Sequence, residues 1–198
     1  MLRTIQYSFP SKADGLEISC LAVVPELERN EKYRGIIQIV HGMSEYKERY
    51  SSFLWNISAE RKYISVIHDH RGHGKSVRSK EDLGYMYGGG ADAMLQDIHT
   101  VNCLIKDHFP GIPLILFGHS MGSLAVRAYA AHHNSCMDML IVCGSPSYNV
   151  FRPVGVALAK AGKTVFGPKH SAGLIEMMSF GSYAMHFKKK KPFFLDLL

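Results

Sequence analysis

A serine with a glycine two positions before it and another two positions after it stands between an apolar run and a helical segment. The pentapeptide Gly118–Gly122 (GHSMG) follows the apolar run Ile112–Phe117 and opens the helical pattern of Leu124–His133. A G-x-S-x-G sequence in this setting predicts a sharp turn, where side chains at the glycine positions would crowd the neighbouring strand or helix. The turn would present the Ser120 hydroxyl as a nucleophile and aim the Met121 backbone N–H at a developing oxyanion. The alternative is an ordinary glycine-rich turn.

Segments with the hydrophobic pattern of strands alternate along the chain with segments that have the pattern of helices. The predicted strands are Thr4–Phe9, Leu16–Val24, Gly35–Val40, Tyr63–His68, Ile112–Phe117 and Met137–Cys143, and the predicted helices are Tyr46–Arg61, Ala91–Phe109 and Leu124–His133. This alternation predicts an α/β fold with a mostly parallel sheet and flanking helices.

The pattern divides the chain into three parts. The pattern in residues 1–148 predicts the N-terminal part of an α/β core. Residues 149–187 hold two short helical patterns, Val150–Gly162 and Ala172–Ser179, with no strand between them, which predicts a helical cap (lid) inserted over the sheet. Residues 188–198 form an atypical tail, in which a lysine run precedes an unpatterned apolar end.

A second loop with possible catalytic use follows the first buried strand. His41 and Gly42 come directly after Gly35–Val40, and Met43 is the next residue. In α/β-hydrolases a His-Gly loop at this place supplies the second backbone N–H of the oxyanion hole, and by position that donor is Met43. The other interpretation is a polar loop at a strand end, where His41 caps nearby backbone.

The loop Asp69–Ser76 suggests two further interpretations, and neither is favoured. Its Gly-Lys-Ser resembles a phosphate-binding loop, but that motif needs a glycine where this chain has Asp69. His68, His70 and His73 with Asp69 could form a metal site, yet no hydrolytic metal motif accompanies them. A structural turn beneath the His41 loop is the favoured interpretation. We expect no metal and no cofactor.

The remaining histidines and the cysteines are expected to be unremarkable. His132 and His133 are at a predicted helix end, and His99, His108, His170 and His186 are expected to be isolated surface or capping residues. The four cysteines, Cys20, Cys103, Cys136 and Cys143, have no C-x-x-C spacing and are expected to be buried free thiols in a reducing cytoplasm.

Composition and charge narrow the class of partner. The chain has 198 residues, of which 46% are hydrophobic and 20% charged, and its net charge is +6. Lys188–Lys191 contributes four of the positive charges, so the basicity is largely local and no nucleic-acid partner is expected. No apolar run has the length of a membrane-spanning helix.

Three motifs together resemble a known family. HGMSEYKERY, DHRGHGKS and GHSMGS, in this order, are similar to the monoacylglycerol lipase and lysophospholipase group of α/β-hydrolases, also classed with serine aminopeptidases (the S33-like domain). The resemblance extends from about Leu2 to Phe187, and in the serine motif this chain has Gly122 and Ser123 where the family has Gly-Gly.

The resemblance implies an eight-stranded sheet, a helical cap and acyl-transfer chemistry. It implies Ser120 as nucleophile and the N–H groups of Met43 and Met121 as oxyanion donors. The implied substrates are monoacylglycerols, lysophospholipids or other carboxylic esters, and the cap could contact a membrane surface transiently. The alternatives are a non-catalytic remnant that binds acyl groups, or an aminopeptidase.

The C-terminal part departs from the implied pattern. The triad acid and histidine of this fold follow the serine on later strands, and none of Asp138, Asp196, His170 and His186 has the expected position. The chain is therefore expected to lack the C-terminal strands, to have near-background activity and to self-associate through the exposed edge of the strand Met137–Cys143. A frameshift, a fragment and a genuine short variant remain open as explanations.

Overall fold

The computed structural model describes residues 1–147 and five further residues, Val156, Ala157, Thr164, Val165 and Gly167. The chain divides into two compact units, Met1–Pro146 and Ser147–Leu198, and the strands and helices given below belong to the first. The predicted cap (149–187) lies almost wholly, and the predicted tail (188–198) wholly, outside the described residues. The three predicted domain ranges therefore stay predictions.

Six strands and three α-helices make up the first unit. The strands are β1 (Leu2–Pro10), β2 (Glu17–Pro25), β3 (Gly35–Val40), β4 (Tyr63–His68), β5 (Leu114–His119) and β6 (Met139–Cys143). The helices are α1 (Ser51–Arg61), α2 (Gly90–His108) and α3 (Met121–His133), and 3₁₀ turns cover Lys47–Tyr50, Lys80–Asp82 and Asn134–Cys136.

The strands form one mixed sheet in the order β1-β2-β4-β3-β5-β6. The hairpin β1–β2 is antiparallel and joins β4 in antiparallel sense, whereas the pairs β3–β4, β3–β5 and β5–β6 are parallel. The predicted mostly parallel α/β sheet is thus confirmed. Val40 pairs with Gly118, so the carboxyl ends of β3 and β5 meet at the same edge of the sheet.

Two apolar layers cover the sheet. Ile36 of β3 belongs to a cluster that includes Ile98 of α2 and Val126 of α3, while the next residue, Ile37, belongs to a second cluster that includes Leu54 of α1. Successive strand residues point to opposite faces, so a strand buried on both faces is apolar throughout. All six residues of β3 are buried, as its sequence predicts.

The strands and helices predicted within residues 1–147 are all present, and two of the differences at their ends are instructive. The predicted helix Tyr46–Arg61 begins instead as the 3₁₀ turn Lys47–Tyr50, where the Asp69 carboxylate accepts the Lys47 N–H at 2.6 Å. Helix α3 begins at Met121, three residues earlier than predicted, because the turn at Ser120 passes into the helix with no intervening residue.

The expectation of buried thiols is correct for one cysteine only. Cys20 is buried in the core, but Cys103 and Cys143 are exposed and Cys136 is partly exposed. Cys103 lies on the outer face of α2, where a helix position next to apolar residues still faces solvent. The apolar context of a cysteine in sequence therefore does not define its burial.

Strand β6 forms the edge of the sheet within the described residues. It pairs with β5, and its Met139, Ile141 and Val142 are exposed. Apolar side chains on an unpaired edge strand favour association with another chain. The expected self-association through this edge remains a prediction.

Candidate active site

Ser120 occupies a strained turn between β5 and α3. Its φ of +52° and ψ of −117° place a residue with a side chain in a region that is normally restricted to glycine. The Ser120 N–H donates to the Cys143 carbonyl at 2.9 Å, and the Ser120 carbonyl accepts the Ser123 N–H at 3.0 Å. These bonds to β6 and to the first turn of α3 hold the serine in the strained conformation.

The two flanking glycines are required by close backbone approach. A Cβ atom at Gly118 would lie 2.5 Å from the Gly122 carbonyl oxygen and 2.5 Å from Cγ2 of Val126. A Cβ atom at Gly122 would overlap the carbonyl oxygen of Val40 and lie 2.5 Å from that of His41. Both contacts are far shorter than van der Waals separation, so the predicted crowding at the glycine positions is present.

The loop after β3 lies directly against the serine. A Cβ atom at Gly42 would be 3.1 Å from Ser120 Cβ and 2.9 Å from Oε2 of Glu45. The fold thus brings together the His41–Met43 loop and the Gly118–Gly122 turn, two motifs that are more than 70 residues apart in sequence.

Two backbone N–H groups in these motifs have no hydrogen-bond acceptor among the described residues. Neither the Met43 N–H nor the Met121 N–H donates to a described protein acceptor, and Met121 is the first residue of α3. The first N–H groups of a helix have no intrahelical partner and attract anionic groups. Both donors are therefore available to a ligand oxygen.

His41 acts as a structural residue of this loop. Its Nε2 accepts the His70 N–H at 3.0 Å, so the proton of the neutral ring is on Nδ1, which donates to the Gly42 carbonyl at 2.7 Å. His70 Nε2 in turn donates to the His41 carbonyl at 3.0 Å. Burial and then the neighbouring His73 lower the pKa of His41 well below its usual value, so the ring stays neutral.

Asp69 organises the loop that lies beneath the His41 loop. Its two carboxylate oxygens accept from the Lys47 N–H and from Lys47 Nζ, each at 2.6 Å, and from the Lys75 N–H at 2.9 Å. With its oxygens used in this way, Asp69 serves as a structural anchor. These contacts agree with the predicted structural role of the Asp69–Ser76 turn, which stays a prediction.

A hydrogen-bond network next to Ser120 was not predicted from the sequence. Glu45 Oε2 accepts from the Gly42 N–H at 2.7 Å, from the Tyr50 hydroxyl at 2.7 Å and from His119 Nδ1 at 3.3 Å. Accepted hydrogen bonds from Tyr50, Gly42 and His119 outweigh burial and lower the pKa of Glu45, so the group is ionised at neutral pH. A glutamate three residues after a His-Gly pair is a local signal that could have indicated this bond.

The catalytic base and acid are not found among the residues that the structure describes. The Ser120 hydroxyl has no hydrogen-bond partner there, since the neighbouring His119 ring is bonded to Glu45 and Tyr50 instead. Asp138 accepts the Leu114 N–H at 2.7 Å, at the amino end of β5, about 20 Å from the serine along a six-residue strand. His170, His186 and Asp196 lie outside the described residues.

The sheet order, the strained serine, its two glycines and the adjacent His-Gly loop together define an α/β-hydrolase. No helix in the described part of the chain is long and apolar enough to cross a membrane. Strand β5 leads into the serine turn and α3 packs behind it, so the Ser120 side chain lies at the carboxyl edge of the sheet, where this class binds its substrates.

The chain belongs to the serine aminopeptidase S33 family, whose model matches residues 31–182. It is 30% identical over 130 residues to a monoacylglycerol lipase of Mycolicibacterium smegmatis, a match that covers 64% of this chain and 44% of that one. It is 28% identical over 111 residues to the monoglyceride lipase of Homo sapiens, covering 55% of this chain and 34% of that one. The resemblance to the monoacylglycerol lipase group is confirmed.

A solved structure supports the same fold. A thermostable carboxyl esterase from Bacillus coagulans, in complex with glycerol, superposes with a TM-score of 0.79 and 28% identity, covering 96% of this chain and 60% of the esterase. The matches thus span less than half of the two curated relatives and three fifths of the esterase. What those whole proteins do is therefore carried over only as a proposal.

Proposed function

We propose that this protein is an ester hydrolase that acts on small acyl esters of the monoacylglycerol or lysophospholipid type, with Ser120 as its nucleophile. The observation that carries the proposal is the strained conformation of Ser120, at φ +52°, on the turn between β5 and α3. A serine is held in such a conformation only where the surrounding structure enforces it, and such strain concentrates at catalytic sites. The similarity to two lipases and a carboxyl esterase supports an ester as substrate.

The proposed first step is acyl transfer to the serine. Ser120 Oγ attacks the ester carbonyl carbon, the hydroxyl proton passes to a general base, and the carbonyl oxygen becomes an oxyanion. The N–H groups of Met43 and Met121 then donate to that oxygen, which both are free to do within the described residues. Collapse of this intermediate releases the alcohol and leaves an acyl-serine, which water hydrolyses in the second step.

The Glu45 carboxylate supports this oxyanion loop. Because it accepts the Gly42 N–H, it fixes the His41–Gly42 peptide next to Met43, whose own N–H has no described protein acceptor. Tyr50 and His119 bond to the same carboxylate and hold it in place. We assign Glu45 as a positioning residue, since it acts through the loop backbone.

Two other functions remain as outcomes of the test. An aminopeptidase would share the nucleophile and the oxyanion donors, and the description of the matched family favours keeping it as a candidate. An acyl-binding protein without catalysis would share only the site. The three are separated by whether Ser120 is activated and by which bond is cleaved.

The experiment is labelling of the full 198-residue chain with a fluorophosphonate probe, followed by assays with a p-nitrophenyl ester and an aminoacyl p-nitroanilide. Where a base is present to activate the serine, we expect covalent labelling at Ser120 and cleavage of the ester in preference to the anilide. Substitution Ser120→Ala should abolish labelling, and in a form with a complete triad it should lower kcat by about 10⁴- to 10⁶-fold.

The matched control is Ser79→Ala, which removes the hydroxyl of an exposed serine in a different loop and should leave labelling unchanged. Labelling that persists in the Ser120→Ala variant would show that another residue is the nucleophile. Absence of labelling in a folded wild-type chain would favour the acyl-binding function, and preferential cleavage of the anilide would favour the aminopeptidase. Cap contact with a membrane surface remains a prediction from the resemblance.

A further inference from the structure

Four side chains that commonly bind metals lie together where α2 packs beside the end of α3. One ligand atom from each of His99, His133 and Cys136 lies within 4.8 Å of the other two. Cys103 Sγ lies 3.5 Å from Nε2 of His99. His99 and His133 are therefore not isolated, and the expectation that His99 is an isolated residue is wrong. The sequence of α2 alone does not show which side chains of α3 lie beside it.

The spacing of these residues along the chain suits a shared ligand. His99 and Cys103 are four residues apart on α2, and His133 and Cys136 are three apart across the end of α3 and the 3₁₀ turn that follows. Residues three or four apart on a helix lie on the same face. Each element thus supplies one imidazole and one thiol to the same region.

Tyr129 supports the histidines as an outer partner. Its hydroxyl lies 2.9 Å from His99 Nδ1, and its ring stacks on His133 with centroids 4.7 Å apart. When Nδ1–H donates to the Tyr129 oxygen, the lone pair of His99 is on Nε2, the atom beside Cys103. Metal-binding histidines usually have such a partner on the second ring nitrogen, which sets the tautomer and the ring orientation.

We propose that His99, Cys103, His133 and Cys136 form a binding site for a zinc ion. Two imidazoles and two thiolates are a donor set that Zn²⁺ favours, in tetrahedral geometry. Zn–N distances of about 2.0–2.1 Å and Zn–S distances of about 2.3 Å imply ligand–ligand separations of about 3.3–3.8 Å. The ligand atoms of His99, His133 and Cys136 lie within 4.8 Å of one another, and small side-chain rotations of these partly exposed groups would bring them to those separations. The exposed Cys103, whose Sγ lies 3.5 Å from Nε2 of His99, would have to rotate toward the other two ligands to complete the set.

The site would be structural and independent of ester hydrolysis. None of its ligands belongs to the serine turn or to the His41 loop, and it would join α2 to the segment that leads from α3 into β6. Binding releases the two thiol protons, so affinity rises with pH. At about 100 times its dissociation constant, zinc should raise the Tm by about 5–10 °C for a chain of this length.

The test is titration of the reduced, metal-free 198-residue chain with Co²⁺, followed by displacement with Zn²⁺. We expect one equivalent of cobalt to bind with intense tetrahedral bands and a thiolate-to-cobalt charge-transfer absorption, and zinc to abolish both. His133→Ala and Cys136→Ser should each weaken binding by at least about 100-fold, because loss of even an outer-shell partner costs about 10- to 100-fold. Tyr129→Phe should weaken it by about tenfold while all four ligands remain.

Two matched controls keep the proposal open to refutation. His132→Ala removes the histidine adjacent to His133, and Cys143→Ser removes an exposed thiol on β6; both should bind cobalt as the wild type does. Absence of charge-transfer absorption in a folded chain, or equal loss of binding in His132→Ala and His133→Ala, would overturn the site. So would cobalt binding that remains unchanged in both His133→Ala and Cys136→Ser.

Discussion

The described part of the chain contains two histidine clusters that differ in burial, in hydrogen bonding and in the elements that carry them. His41, His68, His70 and His73 lie buried where β3 and β4 end, whereas His99 and His133 lie partly exposed on α2 and α3. In the buried cluster the ring atoms of His41 and His70 bond to each other's backbone. In the exposed cluster a ring nitrogen faces a thiol.

The difference teaches that density of histidine in sequence is a poor guide to ligand binding. The loop DHRGHGKS concentrates two histidines and an aspartate within five residues, yet both carboxylate oxygens of Asp69 accept hydrogen bonds from Lys47 or Lys75. His99 and His133 are 34 residues apart, and they meet only because α2 and α3 pack side by side. A metal-binding site requires ligand atoms that are not already hydrogen-bonded within the fold.

The largest expected effect is a loss of stability when Asp69, the anchor of the loop in the buried cluster, is replaced. Asp69→Ala leaves the Lys47 ammonium, which is 1% exposed, with the partly exposed Glu48 as its remaining partner. Loss of one member of a buried ion pair costs about 3–5 kcal/mol. Urea unfolding should therefore show a loss of that size in the free energy of unfolding.

The matched control for the anchor is Asp107→Ala, at an exposed position of α2, which should change stability by less than about 0.5 kcal/mol. The double variant Lys47→Met with Asp69→Ala should be more stable than Asp69→Ala alone, because it no longer buries an unpaired charge. An Asp69→Ala protein as stable as the wild type would refute the role of the anchor.

A smaller effect is expected where the serine turn presses on the buried cluster. In Gly122→Ala the new methyl group meets the carbonyl oxygens of Val40 and His41, and His41 must shift away from His70. Overpacking of this kind costs about 1–3 kcal/mol of stability, and we also expect fluorophosphonate labelling of Ser120 to decrease strongly. Gly88→Ala is the control, since a Cβ atom there meets nothing within 4 Å; equal effects in the two variants would argue against the close approach.

The buried cluster should also make stability depend on pH. Burial, and then His70, lowers the pKa of His68 well below 6.5, and neither ring nitrogen has a partner within the described residues. Below about pH 6.5 the imidazole is protonated in the unfolded chain but stays neutral in the folded chain. The free energy of unfolding therefore falls as pH decreases, by up to about 1.4 kcal/mol per pH unit for each such histidine.

His68→Leu tests this pH dependence. It removes one such histidine, so the fall in the free energy of unfolding between pH 7 and pH 5 should be less steep than in the wild type. Ser79→Ala, at an exposed position and with no titratable group involved, should leave the slope unchanged. A His68→Leu slope identical to that of the wild type would mean that His68 is protonated in the folded state.

How much could be predicted from sequence depends on the range of the interaction. Strands β3 and β4 match their predictions to the residue, because short apolar runs between polar boundaries define strands buried on both faces. The serine turn was also predictable, since its glycines are required by contacts within the motif and with the adjacent β3. Both depend on neighbours in sequence or on a regular sheet.

The Glu45–Tyr50–His119 network and the His99–His133 pair could not be predicted in the same way. Each depends on how side chains from separate elements pack against one another. The spacing of apolar residues along the sequence does not indicate such packing. A local signal did exist for both: Glu45 follows the His-Gly pair at a spacing of three, and His99 and Cys103 share a helix face. Such signals become informative only when a second element is known to lie opposite.

The smallest effect is expected in the exposed cluster without metal. His133 stacks on His99 and Tyr129, with ring centroids 4.5 and 4.7 Å apart, and such an aromatic pair contributes about 0.5–1.5 kcal/mol. Because the ring is partly exposed, His133→Ala should lower the free energy of unfolding of the metal-free chain by no more than about 1 kcal/mol. With zinc present the gap between wild type and variant should widen, since only the wild type is stabilised by binding. Calorimetry of both proteins with and without zinc measures the four values. A gap that is the same in both conditions would show that zinc does not bind to the exposed cluster.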